Sequence, residues 1–289
     1  MRYGIHYGYW AKDWIDDCVP LIKKCSELGF SVMELGGSAF ANFAAQKLDV
    51  LRAASSEYGV ELTAGIGCGV QANLASLDPN IQQAGISYLK RAILNAERAG
   101  IHTIAGILYA SWFYDAHKPV HKVETTRNSV LNMKQIADFA SDHGVSLMME
   151  VCNRFATYML NTAQEAVEYV DAVDRDNVYV MLDTFHMNIE ENSFADAIRF
   201  VGSRLGYIHL AENNRRVPGT SHLPWQEIIH ALQDISFTGP AVFECFVNRD
   251  CVVGHDLKTW RNLYDDVSEP QKDLSLIQSL NYLKRFEVK

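Results

Sequence analysis

Residues 146–151, Ser146-Leu147-Met148-Met149-Glu150-Val151, form a short apolar run that closes on a carboxylate, and residues 178–183, Val178-Tyr179-Val180-Met181-Leu182-Asp183, repeat that design. Between them lies Thr162 to Ala172, an amphipathic stretch of helical spacing, and before them another, Thr125 to His143. A buried strand, a helix that returns the chain and a second buried strand make a βα unit of a parallel sheet. The alternation continues in both directions. Upstream strands are predicted at Tyr3 to Tyr9, Ser31 to Leu35, Glu61 to Gly65 and Thr103 to Leu108, the last preceded by a helix over Ile81 to Ala99. Downstream strands are predicted at Gly206 to Ala211 and Ala241 to Cys245. Eight units predict an α/β fold closed as a (β/α)8 TIM barrel, whereas a doubly wound open sheet does not readily use eight, and no GxGxxG follows the first strand. Gly29, Gly59, Gly100 and Gly144 follow helical segments, where a cap without a Cβ is favoured.

The chain has 289 residues, within reach of one barrel, so a single catalytic domain over residues 1–289 is expected. With 26 basic against 35 acidic residues the net charge is −9, and no basic stripe overrides it, which argues against a nucleic-acid partner. The six cysteines Cys18, Cys25, Cys68, Cys152, Cys245 and Cys251 form no CxxC pair and read as reduced thiols. Polar residues interrupt the start before any apolar region of signal length, and no run of about 18 apolar residues occurs, so no membrane association and a cytoplasmic location are expected.

Barrel active sites sit at the C-terminal ends of the strands. Four successive strands here end on an ionisable residue: Glu150, Asp183, His209 and Glu244. One acid at a strand end is commonly a helix cap or a solvated rim residue, but four in register converge on one mouth. Three carboxylates and one imidazole suit Mn²⁺, with Mg²⁺ or Co²⁺ as alternatives, and suit a thiolate-type zinc site poorly.

The segments Glu150-Val151-Cys152-Asn153-Arg154-Phe155, Leu182-Asp183-Thr184-Phe185-His186-Met187-Asn188-Ile189-Glu190-Glu191, Asn214-Arg215 with Val217-Pro218-Gly219, and Glu244-Cys245-Phe246-Val247 resemble the D-tagatose 3-epimerase and D-psicose (allulose) 3-epimerase family of the xylose-isomerase-like barrel superfamily. The likeness covers nearly the whole chain, from Tyr7-Gly8-Tyr9-Trp10 to Trp260-Arg261. It implies an isomerase acting on a small-molecule ketose through a cis-enediolate. Glu150, Asp183, His209 and Glu244 would be the Mn²⁺ ligands, Glu150 and Glu244 also the acid/base pair, and His186 and Arg215 the groups holding the O1 and O2 end. A homodimer or homotetramer is implied as well. By position, His6, Ile66, Gly106 and Trp112 are further substrate contacts.

The chain departs from that pattern at three places. Ala156 stands where the family generally has a glutamate against the substrate end, His6 where it has an aromatic residue, and Gly219-Thr220-Ser221-His222 replaces a glycine-rich loop. His222, Asn248 and Arg249 follow strands seven and eight, where barrels often bind phosphate, but a solvated loop is the commoner outcome. Glu190 and Glu191 are read as acids opening a helix and complementing its dipole, with no ligand role. Cys152 shares a strand face with Glu150 by period two and is expected to be a buried, inert thiol. His143, His230 and His255 look peripheral. Three rival functions fit the scaffold: an aldose–ketose or hydroxy-carbonyl isomerase, an apurinic-endonuclease-type phosphodiesterase, and a sugar-binding barrel without catalysis. The phosphodiesterase would need more histidine ligands, and retention of both glutamates argues against mere binding.

Overall fold

The computed structural model describes residues 1–115, 117 and 119–287. Among these, eight strands close a parallel barrel in chain order: β1 Arg2–His6, β2 Val32–Gly36, β3 Glu61–Gly65, β4 Thr103–Gly106, β5 Ser146–Glu150, β6 Val178–Asp183, β7 Leu205–Leu210 and β8 Pro240–Phe243. The helices are α1 Val19–Glu27, α2 Ala45–Tyr58, α3 Pro79–Ala99, α4 Lys122–Asp142, α5 Ala163–Val173, α6 Thr184–Glu190, α7 Phe194–Val201, α8 Trp225–Asp234, α9 Val252–Asp256 and α10 Glu269–Lys284. The expected (β/α)8 barrel is therefore the observed one. Pairing of β1 with β8, Gly4 beside Val242 and Ile5 beside Phe243, closes the ring. No helix among the described residues is long and apolar enough to cross a membrane.

Two apolar layers follow from the period of two along each strand. Outward residues such as Ile5, Met33, Leu147, Leu182, Ile208 and Phe243 pack under the helices in the large core. Inward residues Val32, Ala105, Met148, Met181, Tyr207 and Val242 form a second, separate cluster that plugs the lumen. Gly4 faces this plug, because a Cβ there would lie 2.8 Å from both Val242 Cγ2 and Val32 Cβ. The barrel is thus solid below and open above.

Four strands are shorter than the sequence suggests, β5 only by Val151. Tyr7–Tyr9 turn off β1 as a 3₁₀ segment, with His6 Nδ1 accepting the Gly8 N–H at 3.0 Å. β8 ends at Phe243, one residue before Glu244. β4 ends at Gly106, whose φ of 120° only a glycine adopts readily. The four glycines after helices behave as expected, with φ of 86°, 63°, 71° and 66° at Gly29, Gly59, Gly100 and Gly144.

Gly106 also allows backbone to approach backbone, since its missing Cβ would stand 2.1 Å from the Ile66 carbonyl oxygen. Gly106→Ala is expected to destabilise the fold by more than about 1 kcal/mol, because both the conformation and the space are wrong for a side chain. Equilibrium urea unfolding reads this as a lower midpoint, and an unchanged midpoint would mean that β3 and β4 part without cost.

Candidate active site

Besides β1, whose last residue His6 lines the cavity, five strands deliver an ionisable side chain to the space above the plug, one more than the four strand ends found in the sequence. Glu34, Glu150, Asp183, His209 and Glu244 stand two residues beyond Val32, Met148, Met181, Tyr207 and Val242, so all share the inward parity. One donor atom from each of Glu150, Asp183, His209 and Glu244 lies within 4.8 Å of the others. A cavity of about 690 Å³ opens over them. Its wall includes His6, Ile66, Gly106, Trp112, His186 and Arg215, and Asp183 lies beneath it with no exposure. The residues singled out in the sequence are thus brought to one place.

His209 organises the cluster. Its Nε2–H donates to Glu34 Oε2 at 2.7 Å, while Nδ1 faces Glu244 Oε2 at 3.3 Å and Glu150 Oε1 at 3.7 Å. Nδ1 is buried with no hydrogen-bond partner. A buried ring nitrogen directed at carboxylate oxygens is an arrangement that a cation would satisfy, in place of the proton that these carboxylates hold on the imidazole by raising its pKa well above the usual value against burial. The donor set fits: hard oxygens and one imidazole nitrogen suit a divalent ion of the Mn²⁺ or Mg²⁺ kind.

Asp183 serves two neighbours. Oδ1 caps α6 by accepting the Phe185 N–H at 2.8 Å, and Oδ2 accepts from Arg215 Nη1 at 2.8 Å. Arg215 Nη1 also donates to Glu244 Oε2, and its guanidinium lies 4.0 Å from the Phe185 ring centroid. Arg215 itself sits at φ 64° in a turn whose N–H bonds the Glu212 carbonyl at 2.9 Å. Glu212, fully buried, accepts the Gly219 and Trp225 Nε1 hydrogens at 2.7 Å each and the Thr220 N–H at 3.1 Å. That carboxylate ties down the loop that carries the arginine. The sequence reading missed it because nothing local in Ala211-Glu212-Asn213 distinguishes a buried loop anchor from a solvated acid.

The two glutamates differ electrostatically. Burial pushes Glu150 up to about 7, against the opposing pull of the nearby His209 imidazole. Burial acts on Glu244 as well, but Arg215 and His209 outweigh it and hold that carboxyl well below the usual range. His186 is lowered to about 4, chiefly by burial, so it is neutral near pH 7. The Asn153 N–H donates to its Nδ1 at 3.2 Å, which leaves the proton on Nε2, 3.6 Å from Asp183 Oδ2. Glu150, Cys152 and His186 form a second metal-like trio. It lacks ready donors, since His186 carries its proton on the inner nitrogen and burial raises the Cys152 thiol well above its usual value. Cys152 is the buried thiol that was expected.

Other expectations need correction. Glu190 and Glu191 close α6 rather than open a helix: Glu190 binds the Arg154 guanidinium at 2.6 Å, and Glu191 accepts the Ala163 N–H of α5 at 2.7 Å. The less favoured phosphate role of His222, Asn248 and Arg249 gains no support, since none of them lines the cavity. Arg249 pairs with Asp250 at 2.7 Å, Asn248 bonds the carbonyls of Tyr9 and Ala11, and His222 faces Ser221 on the surface. Lys258 does reach the mouth, accompanied by Asp13 and Asp256. His6 is almost buried, and its Nε2 would lie 2.4 Å from a Cβ at Gly36, so that glycine makes room for the imidazole.

A family model described as xylose isomerase-like TIM barrel matches residues 22–263, which defines the class. A D-psicose 3-epimerase of Agrobacterium fabrum is 43% identical over 263 residues, 91% of each chain. An L-ribulose 3-epimerase of a Methylomonas species is 31% identical over 92% of each chain. Among solved structures, a D-psicose 3-epimerase crystallised in the presence of D-fructose superposes with a TM-score of 0.96 at 40% identity, covering 99% of both chains. This chain belongs to the xylose isomerase-like family, in the company of the D-psicose 3-epimerases, and is an enzyme of the isomerase class.

The raised Glu150 has a consequence for stability. Its folded-state pKa of about 7 exceeds the ordinary 4.5, so its favourable contribution is complete below 4.5 and is lost as pH rises through 7. Glu150→Gln is therefore expected to raise the melting temperature of chelator-stripped protein above pH 7 by at least about 2 °C, with the gain shrinking toward pH 5. Differential scanning fluorimetry across that range checks it. A shift of equal size at both ends would assign the effect to packing instead.

Proposed function

We propose that this chain is a divalent-metal-dependent ketose 3-epimerase that inverts the carbon beside the carbonyl by proton removal and return through a cis-enediolate. One observation carries the reading. Glu150 and Glu244, on the non-adjacent strand ends of β5 and β8, share one lumen with His209 Nδ1, and their environments split their proton affinities. Two carboxyls with separated pKa values are what an acid and a base require. The relatives' names span a hexulose and a pentulose 3-epimerase, which supports a free ketose as the substrate class.

Glu150, Asp183, His209 and Glu244 would hold the cation, Mn²⁺ by preference. When bound, it supplies Lewis-acid stabilisation of the charge that develops on the substrate oxygens. Glu244, held ionised beside Arg215, takes the proton from C3. Glu150, poised near 7, returns one to the opposite face, and the reverse reaction exchanges their tasks. His186 offers a neutral Nε2–H and Arg215 a cationic fork at the O1 and O2 end. The facing wall is apolar, with Ile66, Ile107 and Trp112, and Ala156 adds no polar atom of its side chain beside Asn153. These surfaces enclose the reacting carbon and limit water near it.

Glu150→Gln and Glu244→Gln are each expected to lower turnover at least about 100-fold while the fold persists. A screen of free ketohexoses, ketopentoses and their phosphates in heavy water with Mn²⁺ reads the chemistry directly. Deuterium should enter at C3 of a free ketose and should fail to enter after chelation. A carbonyl that migrates to C1 would identify an aldose–ketose isomerase, and exchange that survives complete metal removal would defeat the metal assignment.

A further inference from the structure

The cation reading uses Nδ1 of His209, but its other nitrogen is held just as firmly. Glu34, 1% exposed on β2, accepts the Nε2–H at 2.7 Å and the Tyr207 hydroxyl at 2.7 Å on the same oxygen, Oε2. Tyr207 in turn takes a hydrogen bond from Thr63 Oγ1 at 2.9 Å. Space for this carboxylate has been made by leaving out a side chain, since a Cβ at Gly65 would stand 2.0 Å from Glu34 Oε1. Two strands besides its own, β3 through Thr63 and Gly65 and β7 through Tyr207 and His209, are therefore shaped around one acid.

Burying a carboxylate is costly, and an apolar residue of similar volume would plug the lumen as well, as Val32 does one layer below. The geometry gives the acid a different use. A hydrogen bond from Nε2 to a carboxylate fixes the imidazole tautomer, fixes the ring plane and makes the opposite nitrogen a better donor. That opposite nitrogen is the buried, unpartnered Nδ1 turned toward Glu150 and Glu244. We propose that Glu34 is a positioning residue which, through His209, sets the affinity of the site for its divalent cation. Tyr207 and Thr63 hold Glu34 in turn, so the chain Thr63–Tyr207–Glu34–His209 aims one ring nitrogen.

This inference rests on the cation reading of the four-residue site, and Mn²⁺ titration of chelator-stripped protein by calorimetry separates the two. Wild-type protein should bind one Mn²⁺ per chain, and Asp183→Asn should weaken it; absence of binding by wild type overturns both proposals. If wild type binds, Glu34→Ala is expected to raise the Kd for Mn²⁺ about 10- to 100-fold. Glu34→Gln, nearly isosteric and still able to accept from Nε2–H, should fall between them and carries the comparison if the alanine variant does not fold. Tyr207→Phe, which keeps the Glu34–His209 bond, should move the Kd least. The turnover deficit of Glu34→Gln should shrink as Mn²⁺ is raised. A merely structural role predicts a lower melting temperature with Kd within about twofold of wild type in the folded Glu34→Gln protein, and that result overturns the positioning role while leaving the cation site intact.

Discussion

In a closed ring of parallel strands, side chains two residues apart on one strand occupy successive layers of the same lumen. Here the lower layer is Val32, Met148, Met181, Tyr207 and Val242, and the layer above is Glu34, Glu150, Asp183, His209 and Glu244. Each charged residue stands on an apolar one. The plug excludes water from below and fixes the backbone height of every strand end, so that four donor atoms from four strands meet within 4.8 Å. A slip of one residue on any strand would send its acid into the outer core and an apolar side chain into the site.

Crowding carboxylates in a buried lumen is unfavourable unless each finds a compensating group. The compensation is uneven. Asp183 and Glu244 share the Arg215 guanidinium, Glu34 has two hydrogen bonds from β7, and Glu150 is left to a raised pKa. The same asymmetry separates the proton affinities of Glu150 and Glu244. A divalent ion among these oxygens and Nδ1 would complete the compensation, which couples the stability of the barrel mouth to its activity.

Loops supply what strands cannot. Arg215 reaches the lumen from a left-handed turn anchored by the buried Glu212, and His186 is carried by α6, whose first turn Asp183 caps. His6 and Ala156 form part of the cavity wall. The imidazole at position 6 is accommodated by Gly36 and held by the Gly8 N–H. The candidate cation donors sit at strand ends, while much of the wall beside them comes from loops and helices.

Much of this was legible in the sequence because its causes are local. Apolar runs of strand length, helical spacing between them and glycines after helices determine eight βα units, and acids or imidazole at four run ends mark the rim where the candidate site assembles. The resemblance of the Leu182 to Glu191 run and of Asn214-Arg215 added expected roles for His186 and Arg215. Tertiary structure decided the rest. Glu34 lies inside the run Val32-Met33-Glu34-Leu35-Gly36 rather than at its end, and only the register of β2 against β1 and β3 brings it to the level of His209. Glu212, Glu190 and Glu191 look alike as sequence, yet one anchors a loop, one binds Arg154 and one caps α5. A carboxylate's identity is written in the chain, but its partners are chosen by folds that bring distant residues together, and for a buried charge the partners decide the role.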